Sequence, residues 1–296
     1  MEAWPRVSFI VINYKTLSDT LAFLESARTI AYPNIEIIVV DNNSPSGKPS
    51  AEIIDQFNEV QFIFSHQNLG FAGGNNLGIR KATGKYVFLL NNDTLLYPDF
   101  LEPIIRFMEA HPDVGMASPK ILYPDRKTIQ FAGAIGISPF TGRGRCIGIH
   151  EPDLGQYDKN YPIDLPHGAA LIIPKHVIDQ VGLMPEAYFL YYEEHDWCEM
   201  VKKKGYSVYY LGESKIIHKE SATTGSDSPL KTYYMTRNRL LFMRRNFSGF
   251  SFFIGLLFFI FVAIPKNSIV FLVKGKGRLF AAFWRGIWWN MTHLIS

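Results

Sequence analysis

Mostly apolar runs recur through the first third of the chain, and each ends in small polar side chains. Val7-Ser8-Phe9-Ile10-Val11-Ile12 leads into Asn13-Tyr14, and Ile35-Glu36-Ile37-Ile38-Val39-Val40 leads into Asp41-Asn42-Asn43-Ser44. Tyr86-Val87-Phe88-Leu89-Leu90 leads into Asn91-Asn92-Asp93-Thr94. Runs of this length read as strands buried on both faces. Leu17, Leu21 and Leu24 fall between the first two runs at helical spacing. Successive β-α units predict parallel strands with right-handed crossovers. The polar ends Asn13, Asp41 and Asp93 then share one sheet edge, the carboxyl edge, where open α/β sheets bind ligands. Asx turns are the alternative reading of each.

Val60–Ser65 predicts a third, shorter strand. Asn68-Leu69-Gly70-Phe71-Ala72-Gly73-Gly74-Asn75-Asn76-Leu77-Gly78 follows and reads as a glycine-rich loop before a helix. Such a loop lets backbone N–H groups approach a phosphate, base or ribose. It is not the dinucleotide fingerprint. Pro98–Met108 predicts a surface helix and Met116–Leu122 a strand. Residues 123–160 are irregular and rich in Gly and Pro, which predicts a functional flap. Leu165–Pro174 predicts a return strand, with His167 at its entry and room beside Gly168 and Ala169 for something bulky. Aromatic and apolar residues 188–192 lead into Glu193-Glu194-His195-Asp196-Trp197-Cys198, followed by a helix over Trp197–Lys204 that Gly205 closes. Tyr206–Leu211 and Lys215–His218 predict two more short strands.

Charge changes the picture near residue 227. The chain has 30 Lys and Arg against 27 Asp and Glu, a net +3. No acidic residue follows Asp227, yet ten basic ones do, so residues 1–227 are net acidic. The tail is also apolar: Phe247–Ile264 is nearly free of polar side chains, Pro265-Lys266-Asn267 interrupts it, and Phe280, Phe283, Trp284, Ile287, Trp288 and Trp289 close it. A spanning helix needs about 20 apolar residues, and Pro265 argues against one clean span. Helices in the membrane interface, or a re-entrant hairpin, fit Trp with Lys and Arg better. A buried appendage or an oligomer contact is the competing reading. Nucleic acid is the weaker partner, because the tail is apolar as well as basic. Two cysteines, Cys146 and Cys198, exclude a disulfide scaffold. The first residues show no secretory pattern, so the body is expected in a reducing cytoplasm.

Asp93 ends the central buried strand, and a carboxylate there can hold a divalent cation on a diphosphate. Glu193 and Glu194 are adjacent beside an aromatic wall. Burial and like charge both raise a carboxyl pKa, which suits a general base. Asp196 also suits a helix N-cap. His218, at a strand end, is by itself an ordinary structural histidine.

Taken together, these pieces resemble the inverting family 2 glycosyltransferases of the GT-A fold, close to bacterial rhamnosyltransferase-like members. The matching pieces run in the family's order over about residues 5–245: Ile10–Tyr14, Val39–Ser44, Asn68–Phe71 with Gly74-Asn75, Leu90–Thr94, Gly168–Ala170 and Tyr191–Trp197. The resemblance implies a Rossmann-like, mostly parallel central sheet flanked by helices, with a C-terminal helical, membrane-associating appendage. Residues 1–245 would form the transferase domain, with a nucleotide-binding half to about 95 and an acceptor half beyond it, and 246–296 the tail.

By the same resemblance, Asn13, Asp41, Asn43, Asn68, Gly70, Phe71, Gly74, Asn75 and Asn92 face the nucleotide, with Asp41 at the base. Asp93 and His218 hold a divalent cation, Mn2+ or Mg2+, and an imidazole ligand favours Mn2+. The Asn91-Asn92-Asp93 cluster has one carboxylate where many relatives have two; one carboxylate plus substrate phosphates is a normal Mg2+ arrangement. Glu194 stands where the family has its catalytic base, one methylene longer than the usual Asp. His167, Gly168, Glu193, Asp196 and Trp197 line the donor and acceptor side, and Arg237 reaches the diphosphate. The implied reaction moves a sugar from dTDP-rhamnose or a UDP-sugar to a glycan or polyprenyl-linked hydroxyl, at the cytoplasmic face of the plasma membrane. A non-catalytic, membrane-bound sugar-nucleotide binder is the rival from another class. A sugar-nucleotide pyrophosphorylase is disfavoured because Asn13-Tyr14-Lys15-Thr16 has no glycine-rich phosphate loop.

Overall fold

A computed structural model describes residues 4–220 and 228–293. The apolar runs form β1 (Val7–Asn13), β2 (Ile35–Asp41), β3 (Val60–Phe64) and β4 (Tyr86–Asn91), all parallel and ordered β4-β1-β2-β3. The crossovers carry α1 (Leu17–Ala27), α2 (Ala51–Gln56) and α3 (Gly70–Ile79). Asn13 pairs in register with Asp41, and Ile12 with Asn91, so the polar ends do lie level on one edge.

The second half departs from the parallel pattern. After β5 (Thr94–Leu96) and α4 (Leu101–Ala110), β6 (Val114–Leu122) enters the sheet, and the short β7 (Ile129–Phe131), β8 (Ala134–Ile135), β9 (Arg145–Cys146) and β10 (Tyr161–Pro162) build the flap. β11 (Ala170–Pro174) then pairs antiparallel with both β4 and β6. The sheet is therefore mixed rather than mostly parallel. The flap delivers the chain to the carboxyl edge, where Ala170 meets Leu90, so β11 can only run back against β4.

α5 (Lys175–Val181) and α6 (Glu193–Lys203) precede β12 (Ser207–His218). β12 is one strand of 12 residues where two were expected. Its register against β6 slips between Leu211 and Lys215, so Gly212-Glu213-Ser214 bulge without ending the strand. Its far end pairs antiparallel with β5, setting His218 opposite Thr94. That pairing carries a histidine from late in the chain to the end of β4. The flap is fixed below by Lys120, 1% exposed, whose Nζ meets Asp153 at 2.8 Å and also contacts Asp158.

After α7 (Pro229–Asn246), the tail folds with it as a helical layer of α8 (Gly249–Phe258), α9 (Ile264–Val273) and α10 (Gly277–Thr292). A π turn at Phe259–Ala263 joins α8 and α9 into one helix, Gly249–Val273. Pro265 thus does not break it. The wider turn just before the proline shifts the hydrogen-bond ladder where its missing N–H and ring would conflict. The joined helix has 25 residues and mean hydropathy 2.3, long and apolar enough to cross a membrane by length and composition.

It does not project away from the body. α7 and α10 run side by side in one direction, with Asn290 Nδ2 donating to Arg237 O at 2.9 Å and Arg244 Nη1 to His293 O at 2.8 Å. Phe259 and Ala263 pack with Leu240 of α7 and with Phe283 and Ile287 of α10. The opposite side of the helix is bare: Phe250, Phe253, Phe261, Ile269 and Leu272 are exposed.

Candidate functional site

The carboxyl edge of β1, β2 and β4 is cross-braced by its own polar residues. Asn13 Nδ2 donates to Asp41 Oδ2 at 2.6 Å, and Ser44 N donates to Asp41 Oδ1 at 2.9 Å. Thr20 Oγ1 donates to Asn13 Oδ1, and Asn92 Nδ2 donates to Thr16 Oγ1 and Thr20 Oγ1 at 2.8 and 2.9 Å. Asp41 is buried and Asn43 exposed, the latter at φ 63°. The network spends the Asn13 and Asn92 side chains on positioning. Thr16 and Thr20 were not singled out in the sequence, which gives no sign of them.

The glycine-rich stretch is not a loop. Gly70–Ile79 is helix α3, and its glycines let it press onto the sheet. A Cβ on Gly74 would lie 3.0 Å from Ile12, and one on Gly78 would collide with Ile10. Gly70 has φ +72° and abuts the Phe189 carbonyl, which accepts from Phe71 N at 2.6 Å. Asn42 Nδ2 donates to Gly70 O at 2.9 Å and Asn68 Oδ1 accepts from Gly70 N, while Asn75 Nδ2 turns back to Phe71 O. These asparagines and glycines hold α3 in place. Phe71 alone among them lines the cleft described below.

Asp93 lies in the turn between β4 and β5, 4% exposed, with its Oδ1 3.1 Å from His218 Nε2. On the other side of the imidazole, Nδ1 meets Gln130 Oε1 at 2.6 Å. An amide oxygen can only accept, so Nδ1 carries a proton and the ring is held with Nε2 toward Asp93. Such an outer partner is how a metal-ligating histidine is oriented. A carboxylate and an imidazole side by side fit a divalent cation completed by substrate phosphates. Among the described residues no third His, Cys, Asp or Glu joins them. Gln130 comes from β7, and nothing in its local sequence marks it.

Asn91 and His167 connect this pair to a cleft of about 620 Å³. Asn91 Nδ2 lies 3.4 Å from His218 Nε2, and the ring centres of His167 and His218 are 6.0 Å apart. Burial, with His218 alongside, pushes the His167 pKa down to about 3. The ring is therefore neutral, and its Nδ1 accepts from Ala169 N at 3.1 Å.

Glu193, Glu194 and His195 form the wall facing Asn91 across the cleft. They are the first turn of α6, which begins four residues earlier than expected, so Asp196 is inside the helix and not its N-cap. Both glutamates were expected to be raised, and they split. Burial first, and the Glu194 charge next, hold Glu193 well above the usual carboxylate range. Burial also pushes Glu194 up, but His195, with Nδ1 3.2 Å from Oε1, the backbone N–H of Glu194 and His167 together hold Glu194 below that range. Of the two, Glu194 is the more readily ionised and Glu193 the more readily protonated. Gly168 has no side chain to obstruct Glu194: a Cβ there would lie 3.3 Å from Oε1.

With Glu194 as the general base, His195 is expected to shape the acid limb of the pH profile. Without it, burial raises the Glu194 pKa, so the carboxylate protonates at a higher pH on acidification. His195→Gln is expected to move the acid limb of kcat upward in pH while leaving the alkaline plateau reachable, as a rate profile from pH 4 to 9 would show.

Asp196, Trp197 and Arg237 do not face the cleft. Trp197 is fully buried and donates Nε1–H to Gly182 O at 2.9 Å, and Asp196 accepts from Arg245 Nε at 2.7 Å and Asn246 Nδ2 at 2.6 Å. Arg237 donates to Ala187 O and Tyr188 O, and Asn238 Nδ2 to Tyr188 O, Leu190 O and Tyr191 O at 2.9, 2.7 and 2.8 Å. Arg237 and Asn238 hold the segment before Glu193, where Phe189, Tyr191 and Tyr192 sit at φ 65°, 70° and 76°. Non-glycine residues there carry strain that the surroundings must offset. Asn238→Ala removes three of these bonds and should lower kcat by about tenfold or more, since the base tolerates little misplacement. Nucleotide affinity should change little; a parallel loss of nucleotide binding would contradict this placement.

The comparisons with known proteins agree with the geometry. A family profile described as glycosyl transferase family 2 matches residues 8–157. A low-salt glycan biosynthesis hexosyltransferase of Haloferax volcanii is 28% identical over 252 residues, covering 82% of this chain and 76% of its own length. An N-acetylglucosaminyl-diphospho-decaprenol L-rhamnosyltransferase of Mycobacterium tuberculosis is 20% identical, covering 81% of this chain and 84% of its own. Some relatives are far longer: the chain spans 28% of one from Sinorhizobium fredii. Among solved structures, a mannosyltransferase of Pyrobaculum calidifontis, in complex with GDP-Man and Mn2+, superposes with TM-score 0.59 at 16% identity, covering 99% of this chain and 76% of that one. The mixed sheet, with its helices and its carboxyl-edge cleft, is the fold of those enzymes, and the chain belongs to glycosyl transferase family 2.

Proposed function

We propose that the protein transfers a sugar, with inversion, from a nucleoside-diphosphate sugar to a hydroxyl of a glycan or lipid-linked acceptor. One observation carries this reading: a half-buried Glu194, whose pKa is held below the usual carboxylate range, lines the same cleft as Asn91 and His167, which adjoin the Asp93–His218 pair. The nucleotide lies along the carboxyl edge near Asp41 and Asn43. Asp93 and His218 would hold a divalent cation, which when bound neutralises charge on the diphosphate.

Glu194 takes the proton from the acceptor O–H. The acceptor oxygen bonds to the anomeric carbon as the bond from that carbon to the diphosphate oxygen breaks. The nucleoside diphosphate leaves with the electron pair, and attack from the opposite face inverts the configuration. dTDP-rhamnose is the favoured donor, in line with the name of the mycobacterial relative, and UDP-hexoses come next.

The tail seats the enzyme on the cytoplasmic face of the membrane. Its helix Gly249–Val273 lies flat along α7 and α10, with its bare apolar side and Trp288 turned outward. Such a face, with basic residues beside it, binds an anionic interface. Incubation with each nucleotide sugar and a glycolipid extract, followed by NMR assignment of the product's anomeric centre, tests the reaction. Retention of configuration, or no turnover with any donor, would count against it.

A further inference from the structure

Arg239, 6% exposed, is a buried guanidinium with no ion pair among the described residues. Its Nε has no hydrogen-bond partner there either. It lines a cavity of about 160 Å³ together with Arg143, Thr236, Asn267, Phe271 and Phe283. Arg143, on the flap, likewise forms no ion pair among the described residues, and it lines the catalytic cleft as well, as does Met235. The two cavities thus adjoin. The flap is seated over Arg239: a Cβ on Gly142 would lie 3.0 Å from Arg239 Nε, and the Gly142 carbonyl accepts from Tyr192 O–H at 2.8 Å. The far wall, Phe259 and Phe271, belongs to the helix whose outer face is bare and apolar.

An unpaired buried charge is costly, and a fold keeps one where a counter-charge arrives with a ligand. Two guanidiniums converging on one cavity match a phosphate or diphosphate oxygen cluster. We propose that Arg239 and Arg143 form a phosphate site for the acceptor, which takes the diphosphate of a lipid-linked sugar. The sugar then points along the cleft toward Glu194, and the hydrocarbon follows the aromatic wall to the tail helices. This rests on the lipid-linked reading given above. The donor's own diphosphate is served separately, by Asp93 and His218.

The test uses the full chain in neutral detergent, saturated with nucleoside diphosphate so that the donor side is filled. Thermal shift is read on adding farnesyl diphosphate, inorganic diphosphate or phosphatidylglycerol. The wild type should bind farnesyl diphosphate, and Arg143→Ala and Arg239→Met should each weaken it by about tenfold or more, as for loss of a charge-assisted contact. Arg239→Lys should keep part of the affinity. Arg143 is exposed, so its variant decides the matter even if Arg239→Met fails to fold. Equal binding by wild type and Arg143→Ala, or none by wild type, overturns the site. Phosphatidylglycerol binding as well as farnesyl diphosphate makes it a headgroup site and overturns the acceptor assignment. Arginine-dependent binding without transfer to any acceptor would instead overturn the proposed reaction and leave the site standing.

Discussion

Glu194→Gln is expected to lower kcat by about 10²–10⁴-fold, the usual worth of a positioned general base, while nucleotide affinity stays close to that of the wild type. The amide keeps the shape and fills the same space beside Gly168, but it cannot take a proton. Glu193 is the poorer substitute, because burial and the neighbouring carboxylate hold its pKa well above the usual carboxylate range. Glu193→Gln therefore serves as the contrast. It should retain far more activity than Glu194→Gln, and it should gain stability relative to wild type as pH rises. The sign follows from linkage: a folded-state pKa above the unfolded value contributes stability at low pH, and that stability is lost as pH climbs toward the folded value. Steady-state rates with calorimetric melting between pH 5 and 9 check both. Near-normal turnover by Glu194→Gln would remove the base assignment.

The second large effect is expected at Asp93. Asp93→Asn removes the only carboxylate of the Asn91-Asn92-Asp93 cluster, so Mn2+ should no longer strengthen nucleotide binding. A wild-type ligand present at 100 times its Kd stabilises by about 2.7 kcal/mol, and most of that gain should vanish in the variant. Gln130→Ala is a subtler probe of the same centre. It frees the His218 ring to turn or change tautomer, and outer partners of this kind are worth about 10–100-fold in metal affinity. A thermal-shift titration of Mn2+ at fixed nucleotide, across the wild type and both variants, reads these effects. An unchanged Mn2+ response in Asp93→Asn would place the cation elsewhere.

Much of the first half was legible in the sequence because β1, β2 and β4 are buried on both faces. Their apolar runs leave no ambiguity of face, and the change to Asn or Asp marks the edge. Asp93 could be picked out for that reason, and Glu194 from its place in the family's motif. The helix Gly70–Ile79 was not legible, because Gly and Asn are poor helix formers. It forms because its glycines allow contact with Ile10 and Ile12, and that packing overrides propensity. The contacts of Asn75, Asn68, Asp196, Trp197 and Arg237 within the fold were not legible for a related reason. Their motifs look like ligand contacts, yet the side chains are turned to backbone carbonyls and helix ends. Gln130, Asn238 and Arg239 act only through residues remote in sequence, so no local pattern carries them. Pro265 misled in the opposite direction, since a π turn absorbs it.

The account turns on a cation held between Asp93 and His218, on the nucleotide diphosphate, in the cleft that Glu194 faces. Crystals grown with Mn2+ and a nucleoside diphosphate, measured at the manganese absorption edge, test this most directly. The account predicts one strong anomalous peak joining Asp93, His218 and the diphosphate, with the Glu194 carboxylate open to the same cleft. A diphosphate ordered on the carboxyl edge with no peak at Asp93, or with the metal bound away from both side chains, would contradict it.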